Sequence, residues 1–201
     1  HAPKYDLNLS SPNPAVRRCA RREIEKSLHW AGILGAEAVT FHPGRLRRGV
    51  EKDMATLRSQ LKLISKKADE LGVTACLENQ GKAEHICVSS KQVLGALEGL
   101  EGIHLTLDLA HIHNSGENPK NYVEQAASLA RHVHLSDMDL EEEEHRLLGQ
   151  AGTSHTQQLE TLKDIGYGGA FILEGEFRDP QNEASMLYTD ARSLLEQAGF
   201  S

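Results

Sequence analysis

Residues 14 to 34 carry Val16, Ala20, Ile24, Leu28, Ala31 and Leu34 at spacings of three and four, which draws one apolar stripe along a helix. Asn13 is placed to cap that helix, Pro14 suits its first position, and Gly35 suits its end. A β-prone run, Ala36 to Phe41, follows directly and stops at His42-Pro43-Gly44. The unit then repeats. Val50, Met54, Leu57, Leu61, Ile64, Ala68 and Leu71 form a second stripe, Gly72 ends it, and Val73 to Leu77 runs into Glu78.

Further copies follow the same order. A helix over about Ser90 to Leu100 leads to a strand, Ile103 to Leu107, that ends at Asp108, with a turn-like segment from Asn114 to Pro119 beyond it. A helix near 120 to 130 leads to the strand His132 to Leu135, and a helix near 154 to 165 leads to Ala170 to Leu173 and Glu174. A last helix is expected near 183 to 198. Strands alternating with helices of this length imply crossover units and a parallel sheet, either open or closed into a barrel. Both arrangements gather ligands at the C-terminal ends of the strands.

At those ends stand His42, Glu78, Asp108, His134 and Glu174, each from a different strand, so that one mouth would collect all five. Imidazole and carboxylate suit zinc, manganese, iron or cobalt. Carboxylates crowded without a cation repel one another and shift their own protonation, which a bound ion relieves. The opposing reading is that each residue caps the next helix or faces water, which is common for any single strand end. Among the other histidines, one of His111 and His113 is a candidate second ligand and the other is expected in solvent. His145 follows the run Glu141 to Glu144, read as a solvated loop, and His29, His85, His104 and His155 read as structural or surface residues. Arg45, Arg47 and Arg48, just after Pro43-Gly44, are candidates to receive a substrate phosphate.

Composition narrows the class. A chain of 201 residues, 39% hydrophobic and 25% charged, has the material for one core and is read as a single domain, residues 1–201. No apolar run reaches the roughly 20 residues that cross a bilayer, and the first residues are unlike a targeting peptide, so a soluble, cytoplasmic protein with no membrane partner is expected. Cys19, Cys76 and Cys87 have no paired spacing and read as reduced thiols. A formal charge of −7 and 4% aromatic residues argue against nonspecific nucleic-acid binding.

These segments together resemble the xylose isomerase-like TIM barrel superfamily, which holds sugar and sugar-phosphate isomerases and epimerases and the endonuclease IV type of AP endonuclease. The resemblance rests on His1-Ala2-Pro3, Leu7 to Ser11, Phe41-His42-Pro43-Gly44, Leu77-Glu78-Asn79, Leu107 to His111, His132 to Asp137, Leu148 to Gly152 and Ile172-Leu173-Glu174. For the isomerase and epimerase branch it implies one divalent ion, manganese or zinc, on Glu78, Asp108, His134 and Glu174. Glu78 and Glu174 would also move substrate protons through an enediolate, and His42, His111 and Arg45 would touch a sugar or sugar phosphate. For the nuclease branch it implies several zinc ions, DNA as partner, and His1, His42, His111, Glu143 and His145 as additional ligands, with glutamate at 143 where that branch has aspartate. Ala110 and Gly149-Gln150-Ala151-Gly152 depart from the nuclease pattern, which favours a small-molecule enzyme. A third reading is a barrel-derived binding module without catalysis. Counting His1, there are six strand ends, fewer than a complete barrel needs. The expectation is a barrel lacking its first two βα units, whose open edges would invite association of copies.

Overall fold

The computed structural model describes residues 1–139, 144–175, 177 and 179–200. They form two compact units, His1–Thr106 and Leu107–Ser201.

In the first unit, α1 (Pro14–Leu34) starts where Asn13 accepts the Ala15 N–H on its side chain and ends at Gly35, whose φ of 68° returns its N–H to the Ala31 carbonyl. Helix α2 (Val50–Leu71) ends in the same way at Gly72. These helices bury Ala20, Ile24, Leu28, Leu57, Leu61, Ile64 and Ala68 of the expected stripes, whereas Leu34 and Val50 at the helix ends lie exposed. Strands β1 (Ala38–Phe41), β2 (Thr74–Glu78) and β3 (Ile103–Asp108) lie parallel, with Phe41 beside Leu77 and Glu78 beside Thr106. Helix α3 (Ser90–Leu97) lies between β2 and β3 in sequence and is capped by the Ser89 hydroxyl. Nearly all of β1 and β2 is buried, and such continuous apolar strands are what a parallel sheet covered by helices requires. Residues 1–4 carry no regular structure, although the Ala2 N–H donates to the Thr40 carbonyl at 2.8 Å and so runs beside β1.

In the second unit, Asp108 caps the short helix α4 (Leu109–Asn114), Asn118 caps α5 (Pro119–Ala126), and a single 3-10 turn leads into β4 (Ala130–Leu135). After a hairpin of β5 (Asp137–Asp139) and β6 (Glu144–Arg146) come α6 (Thr156–Asp164), β7 (Ala170–Leu173) and α7 (Pro180–Gln197). Strands β4 and β7 pair in parallel, with Leu135 beside Leu173. The unit's core includes Leu107, Leu109, Tyr122, Val123, Val133, Leu135, Leu159 and Leu162. Strand β7 is the least covered, with Ile172 40% exposed.

The repeating helix–strand pattern is therefore realised at all five expected strands. Sequence reading missed α4 and the β5–β6 hairpin. No described helix is long and apolar enough to cross a membrane. All three cysteines are free thiols, Cys76 and Cys87 buried and Cys19 exposed.

Candidate metal centre

In the first unit the last residue of β2 and the residue after β1 face each other. Glu78, 1% exposed, presents Oε2 at 3.0 Å from His42 Nε2 and 3.1 Å from His1 Nε2. The two imidazole rings stand edge to face with centroids 5.0 Å apart. Three donor atoms from His1, His42 and Glu78 thus lie within 4.8 Å of one another. Arg45 lies exposed in a single antiparallel bridge to His85, and the Ile86 N–H donates to the Gly44 carbonyl, so that the loops after β1 and β2 support each other. Gly44 has a φ of 105°, and a Cβ there would strike the Asn8 side chain, whose Nδ2 donates to the Arg45 carbonyl at 3.0 Å.

A buried carboxylate secures that loop. Asp53 Oδ2 accepts the Arg47 and Arg48 N–H groups at 2.6 and 2.9 Å, and Oδ1 accepts from Arg48 Nε at 2.9 Å. Burial pushes this carboxyl upward, but the backbone N–H groups of Arg48 and Arg47 and the Arg48 guanidinium outweigh that and hold it below its ordinary range. Arg48 is accordingly engaged in structure rather than held for a ligand.

In the second unit the ends of β3, β4 and β7 supply Asp108, His134 and Glu174. Asp108 is fully buried, His134 is 3% exposed and Glu174 is half-buried. Their donor atoms lie within 4.8 Å of one another, with His134 Nδ1 3.1 Å from Glu174 Oε1. The Glu174 N–H donates to the Leu135 carbonyl, extending the β4–β7 pairing to Glu174 itself. Asp108 Oδ1 caps α4 by accepting the His111 N–H at 2.8 Å. That cap turns His111 back over the strand end, and its Nδ1 lies 3.5 Å from Asp108 Oδ2. The hairpin returns His145 to the same place, with Nε2 3.2 Å from His111 Nε2. Asp108, His111 and His145 form another donor group within 4.8 Å. Glu143 lies outside the described residues.

His113 departs from the expectation of a solvated side chain. It lies half-buried against His155 with ring centroids 5.3 Å apart, and its Nε2 meets Gln158 Oε1 at 3.1 Å. Burial and the neighbouring His155 lower its pKa, against smaller opposing effects of Gln158 and Asp137. Ser136, Asp137 and Gln158, to which the sequence assigned no individual role, share this buried region. Their only signal was the polar pair Ser136-Asp137 directly after β4.

The donor set fits a divalent cation: imidazole nitrogens and carboxylate oxygens, several buried, with no thiolate among them. Close carboxylate–imidazole approaches of this kind also occur as plain hydrogen bonds, so chemistry rather than distance carries the fit.

Comparisons with known proteins agree with this architecture. The chain is 28% identical over 186 residues to an uncharacterized protein of Methanocaldococcus jannaschii, covering 88% of this chain and 63% of that one. It is 23% identical to the D-psicose 3-epimerase of Ruminiclostridium cellulolyticum, covering 87% and 61% of the two chains. The chain therefore spans less than two thirds of the length of these curated relatives. A crystal structure of a D-tagatose 3-epimerase-like protein superposes with a TM-score of 0.84 at 27% identity, covering 99% of this chain and 78% of that one. The model of the xylose isomerase-like TIM barrel family matches residues 1–197, and the chain belongs to that family.

Proposed function

We propose that the protein is a divalent-metal-dependent sugar or sugar-phosphate isomerase or epimerase, with Glu78, Asp108, His134 and Glu174 as ligands of the ion. The observation that carries this reading is the convergence of Asp108, His134 and Glu174 from three strand ends. The ketose 3-epimerases among its relatives and structural neighbours support the substrate class.

A divalent ion bound here would polarise a carbonyl and the hydroxyl beside it, which makes the intervening C–H bond more acidic. Glu78 and Glu174 are the proton carriers: one carboxylate takes the proton as the C–H bond breaks, and the other returns a proton to the opposite face. His42 and His111, each beside one of the carboxylate ligands, are the candidates to hold substrate hydroxyls. Exposed Arg45 is the candidate for a terminal phosphate.

The test is incubation of manganese-loaded protein with a ketohexose or ketose phosphate in D2O. Deuterium should enter at the carbon next to the carbonyl, and Glu174→Gln should slow the exchange by about 10²–10⁴-fold. Metal-loaded protein that exchanges no such proton would refute the reaction class.

A second reading, a multi-zinc phosphodiester hydrolase of the AP endonuclease type, draws on a specific observation. His1 and His42 around Glu78, and His145 against His111, offer more imidazoles than one ion needs. The net negative charge also conceals an asymmetry. Lys and Arg outnumber Asp and Glu over residues 1–106, and the reverse holds beyond. Efficient incision of abasic-site duplex, lost in His42→Ala and His145→Ala, would establish this reading over the first.

A further inference from the structure

Behind the β3 and β4 ends of the second unit lies a polar network that no step above uses. His155 is 1% exposed, Asp137 1% and Gln158 0%. The acceptors around them decide where the protons are. Gln158 Nε2 donates to the Leu109 carbonyl at 3.1 Å, so Oε1 is the accepting end of that amide. Oε1 lies 2.9 Å from His155 Nδ1 and 3.1 Å from His113 Nε2, and both ring nitrogens therefore carry hydrogen. His155 Nε2 lies 2.9 Å from the Ser136 carbonyl, which can only accept, so this nitrogen is protonated as well. With a proton on each nitrogen His155 is an imidazolium, and Asp137, Oδ1 at 3.6 Å, is its counter-charge. Burial alone would push the His155 pKa down; the Asp137, Gln158 and Ser136 partners outweigh it and raise the value.

The residue clamped by that cation has a second contact. Ser136 Oγ lies 2.7 Å from His145 Nδ1, and His145 Nε2 in turn faces His111 Nε2. The same Gln158 amide that holds His155 also holds the first turn of α4, whose next residues include His111. Both facing imidazoles are therefore braced by one buried assembly. A neutral imidazole presents a lone pair at Nε2 when its proton is on Nδ1, and a hydroxyl at Nδ1 can accept that proton's hydrogen bond and orient the ring.

We propose that Ser136, its carbonyl clamped by His155, is a positioning residue that holds the His145 ring by its Nδ1, so that Nε2, with His111 and Asp108, faces a divalent cation. This rests on the second, multi-metal reading, in which His111 and His145 are ligands. Ser136 touches neither substrate nor ion; its effect passes through the His145 ring.

Two measurements test it separately. In metal-free protein, long-range ¹H–¹⁵N spectra of the imidazoles should show His145, assigned by the signal missing from His145→Asn, in the Nδ1–H tautomer. Ser136→Ala should redistribute that signal, and Ser136→Thr, which keeps the hydroxyl, should retain it. Titration with Co²⁺, followed by its d–d absorption, should show one site weakened by about 10–100-fold in Ser136→Ala and restored in Ser136→Thr. A second site should keep its affinity. His155→Gln, if folded, should weaken the same site as Ser136→Ala. An unchanged His145 tautomer in Ser136→Ala overturns the positioning role whether or not Co²⁺ binds. Absence of any Co²⁺ uptake by the wild-type chain overturns the metal reading, and with it the proposed cation, while the spectra still decide how His145 is held.

Discussion

Replacing Asp53 by asparagine keeps the size of a fully buried side chain while removing its charge, and its cost can be worked from the contacts. The carboxylate accepts two backbone N–H groups and the Arg48 Nε. Hydrogen bonds to a charged acceptor contribute about 1.5–3 kcal/mol net, against about 1 kcal/mol for neutral ones, so two backbone bonds lose about 1–4 kcal/mol together. The Arg48 pairing adds less than about 1 kcal/mol, because the arginine side chain is 35% exposed and water screens it. The expected loss at pH 7 is about 1–5 kcal/mol. Its pH dependence has a defined sign. The folded pKa of Asp53 is lowered, so its stabilisation is complete above the unfolded value near about 3.9 and is lost as pH falls through the folded value. Urea unfolding of the two proteins should therefore differ at pH 7 and converge in acid. A deficit below about 0.5 kcal/mol at pH 7, or one that stays constant into acid, would refute this account of the loop.

Gly44→Ala should destabilise the chain by about 1–3 kcal/mol, because it combines a strained positive φ with a collision at Asn8; an unshifted thermal midpoint would contradict the packing described. Glu78→Gln should lower the metal content of purified protein, since a neutral amide is a weaker ligand than the carboxylate. Elemental analysis showing wild-type stoichiometry would remove Glu78 from the ligand set.

How far the sequence reveals this molecule depends on which forces act locally. Helix α1 is readable end to end because Asn13, Pro14 and Gly35 act on their own neighbours and the apolar spacing fixes the buried face. Strands β2, β3 and β7 are readable as short apolar runs that lead to one acid each, Glu78, Asp108 and Glu174. The short helix α4 was missed because its six residues carry no periodic stripe; it forms because Asp108, already claimed as a ligand, also caps it. The hairpin was missed because its neighbour, the run of glutamates, reads as a solvated loop. The role of His155 was invisible for a different reason. A single histidine has no pattern, and its charge depends on Gln158, Ser136 and Asp137 meeting it through tertiary packing.

The central claim is tested most directly by anomalous scattering from crystals grown with manganese or zinc. The account predicts a peak bonded to Glu78, Asp108, His134 and Glu174, with ligand distances near 2.0–2.2 Å for zinc. Metal-saturated crystals with no peak at those strand ends, or with ions bound only elsewhere, would contradict it.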